Sequence, residues 1–394
     1  MVERPILIYL IAGEPSGDAI GAHLIRALSE VDDREIEFAG LGGAAMSSCG
    51  FHSLFPISEL SVMGLLEVLP HARRIMRRID EVANDISSRQ PDIVITIDSP
   101  SFSIRVAKRI AKLDVPKVHY VAPTVWAWRP WRVHKFKRYY DHLLTILPFE
   151  PPYFEDVGLP APFVGHPVLE YGGDHGNGPK FRKRHKVSEE QILVCLLPGS
   201  RRGEVMRHLG IFGDALEILN TGEKGCRSVI PTLPHVADLV RSQTETWGTQ
   251  PIILETPEEK YDAMAASNIA LATSGTVALE TAIARLPTVV AYRVNAVTAF
   301  IIRRLIKVDF VNILNIMADR ELVPECLQEK CTAERLHHEL ERLLDNGGQR
   351  QIRDLESFLR KLRAGDSGPS VAAARYLFER VLPEKTTHKE RPSL

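Results

Sequence analysis

The 394-residue sequence lacks several features that assign proteins to broad classes. Its five cysteines include no C-x-x-C pair, which argues against a metal or disulfide framework and favours reduced thiols in a cytoplasmic protein. The net charge is only −1, so no whole-molecule field attracts nucleic acid or an acidic membrane. No apolar run approaches the ~18 residues of a membrane span. Any anion-binding surface must therefore be local.

The sequence does contain a regular alternation of short apolar runs and amphipathic segments. The first apolar run, from Pro5 to Ala12, is followed by no A-x-A cleavage site, so we expect a buried strand and not a signal peptide. Runs such as DIVITID and ILVCLLPGS, each followed by a helical pattern, predict parallel sheets covered by helices on both faces. The alternation restarts after 171–187, a glycine-rich and then basic stretch without periodicity.

These patterns predict an α/β protein of two Rossmann-like parallel-sheet domains that face each other across a cleft, with C-terminal helices. We place the first domain at 1–170, a linker at 171–187 and the second domain at 188–365. Residues 366–394 are expected to form a helix and a frayed tail, and packing back onto the first domain is one arrangement open to them.

One strand-to-helix turn in the second half has the composition of an anion-binding site. In LLPGSRRGEV (196–205), Gly199 allows close backbone approach, Ser200 can cap the helix, and Arg201 adds positive charge. Together with the helix N-terminus, these residues suit a diphosphate. An ordinary capped turn with a solvated arginine is the alternative.

The turn in ATSGTVALE (272–280) repeats this composition. Ser274, Gly275 and Thr276 present hydroxyl and amide groups at a helix start. Glu280 lies four residues past Thr276 on the same helix face, where its carboxylate can take both hydroxyls of a ribose. A surface glutamate in a capped helix is the alternative, but two such turns in one domain favour ligand binding.

Asp98 follows a buried strand in DIVITIDSPSF (92–102). Open α/β sheets bind ligands at the carboxyl ends of their parallel strands. A general base that takes a proton from a hydroxyl belongs at such a position, so Asp98 is the candidate catalytic residue. The alternative is a helix N-cap shared with Ser99.

Two glycine-rich or aromatic segments have several interpretations. The pattern GLGGAA at 40–45 fits a dinucleotide fingerprint only superficially, because it lacks the third glycine and follows the second strand, so we expect a loop that lines the cleft. Segment 120–140 combines three tryptophans with six basic residues, a composition that suits single-stranded nucleic acid. The near-neutral net charge favours a sugar-stacking wall or a hinge core instead.

The segment 58–81 joins an apolar stretch to a cluster of arginines. Core packing of a helix is one interpretation. The other is a surface that contacts an anionic bilayer or an acyl chain. The residues of this candidate surface are the apolar Leu65, Leu66 and Leu69 and the basic Arg73, Arg74, Arg77 and Arg78.

Seven motifs in sequence order closely resemble the lipid-A-disaccharide synthase family, inverting glycosyltransferases of the lipid A pathway of Gram-negative bacteria. The resemblance runs from about Ile6 to about Gln328 and rests on AGEPSGDAIGAHLI, VMGLLEVLP, APTVWAWRPWRVHKFKR, LPFEPPYFE, FVGHPV, LLPGSRRGEV and ATSGTVALETA. It implies a GT-B fold with the active site between the two domains. It also implies transfer of 2,3-diacylglucosamine from UDP-2,3-diacylglucosamine to 2,3-diacylglucosamine 1-phosphate, with release of UDP.

The resemblance further implies roles for single residues. Asp98 matches the family's proposed base, and Arg201 matches an essential arginine on the nucleotide side. An anion of the acceptor suits the start of the first helix, and its hydroxyls suit the neighbouring carboxylates. The implied acceptor residues are Glu14, Ser16, Gly17, Asp18 and Met63, and the nucleotide-sugar site gains Arg293, Asn315, Glu321 and Gln328. Two positions depart from the family pattern, Pro15 in place of an alanine and Leu314 in place of a proline.

The chain contains no Asp-x-Asp, so a metal clamp has no sequence support, and we expect neither a metal nor a cofactor. The expected partners are the two acylated sugar substrates and the cytoplasmic face of the inner membrane, contacted peripherally, and a homodimer stays open. A transferase for the lipid-linked peptidoglycan precursor is the rival enzyme, against which AGEPSGD and VWAWRPWR argue. The non-enzymatic rival is a nucleic-acid-binding module, against which the net charge argues.

Overall fold

The computed structural model describes residues 4–60, 68–221, 225–295 and 308–382. The chain divides into two compact units, Met1–Pro167 with Leu362–Leu394, and Val168–Lys361. The chain therefore leaves the first unit after Pro167 and returns to it at Leu362. No helix within the described ranges is long and apolar enough to cross a membrane.

The first unit is built on a five-stranded parallel sheet in the order β2-β1-β3-β4-β5. The described helices of this unit include a C-terminal one that packs on α1 within the same core cluster. The strands are β1 (Ile6–Ala12), β2 (Ile36–Leu41), β3 (Ile93–Ile97), β4 (Lys117–Tyr120) and β5 (His142–Leu144). The helices are α1 (Pro15–Val31), α2 (Ala44–Ser47), α3 (Val68–Arg89), α4 (Pro100–Arg109), α5 (Arg132–Tyr139), α6 (Pro151–Glu155) and the C-terminal α15 (Pro369–Arg380).

The central strands β1 and β3 of the first unit are almost continuous apolar runs because both faces of the sheet are covered. On β1, Ile8 and Leu10 point into the cluster that contains α1 and α15, whereas Tyr9 and Ile11 point into the cluster that contains α3 and α4. All five residues of β3 are buried. Continuous apolar runs are typical of parallel strands between two helix layers, so this prediction is confirmed.

The second unit is built on a six-stranded parallel sheet in the order β11-β10-β9-β6-β7-β8. Its strands are β6 (Ile192–Leu197), β7 (Cys226–Pro231), β8 (Ile252–Leu254), β9 (Ile269–Thr273), β10 (Thr288–Tyr292) and β11 (Glu325–Leu327). Its described helices are α7 (Gly178–Arg184), α8 (Arg202–Asn220), α9 (Pro234–Thr244), α10 (Pro257–Ala266), α11 (Val277–Ile283), α12 (Ile313–Ala318), α13 (Ala333–Arg342) and α14 (Gly348–Lys361).

The irregular linker predicted over 171–187 needs one correction, because residues 178–184 form α7. The side chain of Asn177 accepts the amide of Lys180 and so caps the helix, 3.0 Å away. Phe181 is buried in a core cluster of the second unit, beside Tyr261 of α10. A seven-residue helix with one buried aromatic residue is too short to show a periodic pattern.

In both sheets, the strand order reverses between strands whose following turns were predicted to bind ligands. In the first sheet the reversal lies between β1 and β3, which are followed by the AGEPSGD turn and by Asp98. In the second sheet it lies between β6 and β9, which are followed by the turns at 198–201 and 274–276. Open α/β sheets bind ligands outside the carboxyl ends of strands at such reversals.

Candidate active site

In the first unit, the turns after β1 and β3 are joined by two side-chain hydrogen bonds. The Ser16 hydroxyl donates to Asp98 Oδ2 at 2.9 Å. The Ser99 hydroxyl donates to Glu14 Oε1 at 3.0 Å. The structure therefore brings together the predicted base and two of the residues expected to bind the acceptor.

The backbone around Asp98 is held in an unusual conformation. Asp98 and Ser99 have φ angles of 53° and 44°, in the left-handed region that costs free energy for residues other than glycine. The Ser103 hydroxyl donates to the Asp98 carbonyl at 2.7 Å and helps to hold this turn. The side chain of Asp98 does not cap α4, whose N-cap residue is Ser99. The alternative reading of Asp98 as a helix cap is therefore wrong.

Gly17 lies where the start of α1 comes close to the end of β3. A Cβ atom on Gly17 would lie 3.0 Å from the carbonyl oxygen of Ile97, so a side chain there would push the start of α1 away from β3. The glycine thus keeps Ser16 within hydrogen-bonding distance of Asp98. Its contribution is to the geometry of the turn.

Asp18 serves the fold, which corrects the prediction that it binds acceptor hydroxyls. Its side chain is buried and accepts three backbone amides, those of Gly43 at 2.6 Å, Ala45 at 2.9 Å and Met46 at 3.1 Å. These bonds fix the glycine-rich loop after β2. They also give acceptors to the amides at the start of α2, which have no partner within the helix. The loop at 40–45 is therefore organised by a carboxylate of its own chain.

In the second unit, the N-terminus of α8 already holds a carboxylate. Glu204 Oε2 accepts the backbone amides of Ser200 at 3.2 Å and Arg201 at 3.3 Å. Gly199 has a φ angle of 111°, and a Cβ atom there would lie 2.6 Å from this carboxylate. The Arg201 guanidinium is half-exposed and lies 3.6 Å from Glu204 Oε1. The turn is therefore capped by Glu204 of the same helix, and the predicted binding of a diphosphate stays a prediction.

His208, which the sequence analysis did not identify, connects α8 to the end of β10. Its ring is fully buried and stacks on Tyr292. Nε2 accepts the backbone amide of Arg293 at 2.9 Å, so Nδ1 has the hydrogen and donates to the Glu204 carbonyl at 2.8 Å. Burial lowers the pKa of His208, which keeps the ring neutral. The backbone of Arg293 is thereby fixed beside the α8 turn.

The second candidate turn of the second unit, after β9, places its residues at the start of α11. Gly275 and Thr276 precede the helix, and the Ser274 hydroxyl contacts the Val311 carbonyl at 3.5 Å. Glu280 is buried, and its Oε2 accepts the Tyr261 hydroxyl at 3.0 Å and pairs with Lys260. The predicted contact of Glu280 with a ribose stays a prediction.

Asn315 is a structural residue, which corrects its assignment to the nucleotide-sugar site. It is fully buried, and its Oδ1 accepts the amides of Leu322 at 2.8 Å and Val323 at 2.9 Å. Its Nδ2 donates to the Val323 carbonyl and to Glu325 Oε1, both at 2.8 Å. All the hydrogen-bonding capacity of this amide is used within the chain.

Two further residues of this segment lie beside it in different surroundings. Glu321 is exposed and accepts the backbone amide of Glu325 at 3.2 Å. Gln328 has a φ angle of 51°, and its Oε1 accepts the amide of Val294 at 3.4 Å, next to Arg293. Gln328 therefore lies beside the end of β10, and its predicted contact with the nucleotide sugar stays a prediction.

The arginines of the candidate membrane surface separate into two groups on α3. Arg73 and Arg77 are exposed. Arg78 pairs with Glu59 at 2.6 Å, and its guanidinium lies over the Phe55 ring, so it anchors the segment before α3. Arg74 donates to the Glu59 carbonyl at 3.2 Å. Of the four arginines predicted for this surface, Arg73 and Arg77 are exposed, whereas Arg74 and Arg78 contact Glu59.

Met63, Leu65 and Leu66 lie outside the described residues, and Leu69 belongs to α3. Within the described ranges, no three His, Cys, Asp or Glu side chains lie together in a group that could hold a metal ion.

Comparison with known proteins identifies the family of this chain. The family model for lipid-A-disaccharide synthetase matches residues 8–370. The lipid-A-disaccharide synthase of Rhodospirillum centenum is 48% identical over 375 residues, which cover 94% of this chain and 94% of that protein. The chain belongs to the lipid-A-disaccharide synthase family. It is therefore a glycosyltransferase of lipid A biosynthesis.

Solved structures confirm the predicted GT-B fold class of this family member. The UDP-GlcNAc 2-epimerase of Neisseria meningitidis, bound to UDP-GlcNAc, has a TM-score of 0.59 at 11% identity, covering 95% of this chain and 98% of that one. MurG of Acinetobacter baumannii has a TM-score of 0.55 at 13% identity, covering 94% and 99%. At these identities the likeness concerns the fold alone.

Proposed function

We propose that the chain transfers 2,3-diacylglucosamine from UDP-2,3-diacylglucosamine to 2,3-diacylglucosamine 1-phosphate, giving a β-1′,6-linked disaccharide 1-phosphate and UDP. The single observation that supports this assignment best is the hydrogen bond between Ser16 and Asp98, at the strand reversal of the first unit. It leaves a half-buried carboxylate at the carboxyl end of the central strand β3, without a cation partner among the described side chains. Such a carboxylate is suited to accept a proton.

The reaction on this proposal is one displacement at the anomeric carbon. The primary hydroxyl of the acceptor attacks that carbon, and Asp98 takes the hydroxyl proton. The new C–O bond forms as the bond from the anomeric carbon to UDP breaks, and the electron pair leaves with the β-phosphate. The configuration at the anomeric carbon is inverted because attack and departure occur on opposite faces.

The leaving diphosphate is assigned to the turn that begins α8. Arg201 offers a half-exposed guanidinium there, and helix N-termini stabilise negative charge as it develops. Glu204 occupies two of the turn's amides in the free protein, so a bound diphosphate has to displace this carboxylate or use the remaining donors. Gly199, Ser274 and Gln328 complete the proposed donor side.

The acceptor is assigned to the turn after β1. Glu14 and Ser16 remain at this turn with side chains that contact only Ser99 and Asp98 among the described hydrogen bonds. Both can therefore exchange these partners for substrate hydroxyls or a phosphate. Asp18 is excluded from this role by its three amide contacts.

Peripheral binding to the inner membrane is the third part of the proposal. Both proposed substrates have acyl chains, so the enzyme has to collect them from a bilayer surface. Arg73 and Arg77 are exposed at the start of α3, where cations attract anionic headgroups.

Product analysis tests the proposed reaction. The purified chain is incubated with UDP-2,3-diacylglucosamine and 2,3-diacylglucosamine 1-phosphate in mixed micelles, and the lipids are analysed by mass spectrometry. We expect the disaccharide 1-phosphate and UDP in equal amounts. Release of UDP without a disaccharide, or no reaction, would contradict the assignment.

A further inference from the structure

Glu150 is a buried carboxyl group for which the proposed reaction has no use. It lies between β5 and α6 and is 1% exposed. Its Oε2 accepts the backbone amides of Ile146 at 3.2 Å and Leu147 at 3.1 Å, and its Oε1 accepts the indole N–H of Trp126 at 3.2 Å. Burial raises the pKa of this carboxyl to about 7. Burying an acid without a cation is costly, so its position calls for a specific role.

The bond to Trp126 joins the chain segments that follow two neighbouring strands. Trp126 lies in the segment 121–131 after β4, whereas Glu150 lies in the segment after β5. The Trp126 ring also packs edge-to-face on Phe149, with 5.3 Å between the ring centres. Two contacts of different kinds, an N–H to carboxyl bond and an aromatic one, therefore fix the orientation of Trp126.

The segment that Trp126 anchors starts beside Asp98. The Asp98 amide donates to the Tyr120 carbonyl at 2.9 Å, and the Val121 amide donates to the Leu144 carbonyl at 3.1 Å. Val121 has a φ angle of 79°, so the chain turns sharply as it leaves β4. Backbone hydrogen bonds thus join the ends of β3, β4 and β5. A displacement of the segment after β4 would therefore also displace the turn that contains Asp98.

We propose that Glu150 is a positioning residue for acceptor binding. It holds Trp126 and thereby sets the segment 121–131 beside Asp98, without touching substrate itself. Further along this segment, the Arg129 guanidinium lies 4.3 Å from the centre of the Trp128 ring, and Arg129 is exposed. An aromatic ring with a cation stacked on it suits a phosphorylated sugar. The role rests on the proposed function, in which the first unit binds the acceptor.

Two single variants and their combination test this role. Trp126→Phe removes the N–H donor but keeps a ring against Phe149, and Glu150→Gln keeps the volume but replaces one acceptor with a donor. We expect each to raise the KM for the acceptor on the order of tenfold, the size of one lost hydrogen bond. The double variant should be no worse than the worse of the two single variants, because both substitutions act on the contact between Trp126 and residue 150. The dissociation constant for UDP should not change.

Glu155→Gln is the matched control, an exposed glutamate on the adjoining helix α6. If Trp126→Phe and Glu150→Gln have the same acceptor KM as this control, the role is overturned, even if their melting temperatures fall. If Glu150→Gln does not fold, Trp126→Phe decides the question alone. A wild type that forms no disaccharide would overturn the proposed function, whereas an active wild type with unaffected variants overturns only the role of Glu150.

Discussion

Asp98 has both the position at a strand end and the carboxylate that a general base needs. It follows β3 at the strand reversal of the first sheet, it has a left-handed backbone, and its carboxylate accepts the Ser16 hydroxyl. We predict that Asp98→Asn lowers turnover by about 10²–10⁴-fold, because an amide cannot take the proton, while UDP binding stays unchanged. Steady-state kinetics and a UDP titration measure both quantities. Asp114→Asn, an exposed aspartate of the same unit, is the control, and turnover of Asp98→Asn equal to it would remove Asp98 from the mechanism.

Arg201 is the residue on which the donor side depends. We predict that Arg201→Ala weakens UDP binding by about 1.5–3 kcal/mol, the range for a lost charge-assisted hydrogen bond. Calorimetric titration of UDP into the variant and into Arg350→Ala, an exposed arginine of the same unit, measures the effect. Equal affinities would mean that the guanidinium is merely solvated.

The raised pKa of Glu150 predicts that the stability of the folded chain depends on pH. Its pKa is raised from 4.5 to about 7 in the folded chain, so the folded state binds a proton between these values that the unfolded state has lost. The contribution of Glu150 to stability is therefore present below pH 4.5 and falls as the pH rises through 7. Relative to Glu150→Gln, the wild type should lose up to about 3 kcal/mol of unfolding free energy over this range.

Urea unfolding of both proteins at several pH values measures this difference. His119 and His166 are buried, and burial lowers their pKa values to about 3 and about 4, which makes stability rise with pH below 6.5. That opposing effect is present in both proteins and cancels in the comparison. A difference between the two proteins that is independent of pH would contradict the raised pKa of Glu150.

Single polar residues are where sequence reasoning was least reliable. Asp18 and Asn315 look like ligand-binding residues in the sequence, because a polar side chain has the same identity whether its partners are ligand atoms or backbone amides. The decisive partners of Asp18 lie 25 to 28 residues away, on the loop after β2. Glu150 and His208 were missed for the same reason, since only the folded chain shows what surrounds them.

At the scale of elements, the strands and their turns were predictable and the exceptions have physical causes. Four strands, β1, β3, β6 and β9, were predicted from apolar runs. The turns after them were predicted from the glycine, serine, threonine or aspartate residues that follow each run. Helix α7 was missed because it buries only Phe181 and Gly178. The register that places the two pairs of turns side by side is a property of the sheets, which no local pattern encodes.

Helix α3 gives a prediction at this scale, because its arginines have different partners. Replacing both Arg73 and Arg77 with alanine should weaken binding to anionic vesicles about thirtyfold, since each cation near an anionic surface contributes about 1 kcal/mol. The melting temperature should not change. Arg78→Gln should instead lower the melting temperature, because it breaks the pairing with Glu59.

Vesicle sedimentation and thermal unfolding of the same proteins separate these effects. Neutral vesicles serve as the second control, and added salt should weaken the binding to anionic ones. Unchanged sedimentation of the Arg73 and Arg77 double variant would mean that this end of α3 does not contact the bilayer.

At the scale of the whole molecule, two sheets built on the same plan receive different tasks in the proposed reaction. Each has one strand reversal, with carboxylates and a serine at the first and an arginine with glycine-rich turns at the second. The family model matches residues 8–370 and therefore spans both units. The order of the strands within each sheet was not predicted, because it depends on pairing between distant parts of the chain.

The configuration of the new glycosidic bond tests the central claim, a single displacement at the anomeric carbon, most directly. The disaccharide formed from the α-linked UDP donor is isolated, and NMR determines the configuration at its new anomeric carbon. We predict a β linkage to the primary hydroxyl of the acceptor, because one displacement inverts the configuration. An α linkage would require a second displacement or attack from the same face, and it would contradict the mechanism.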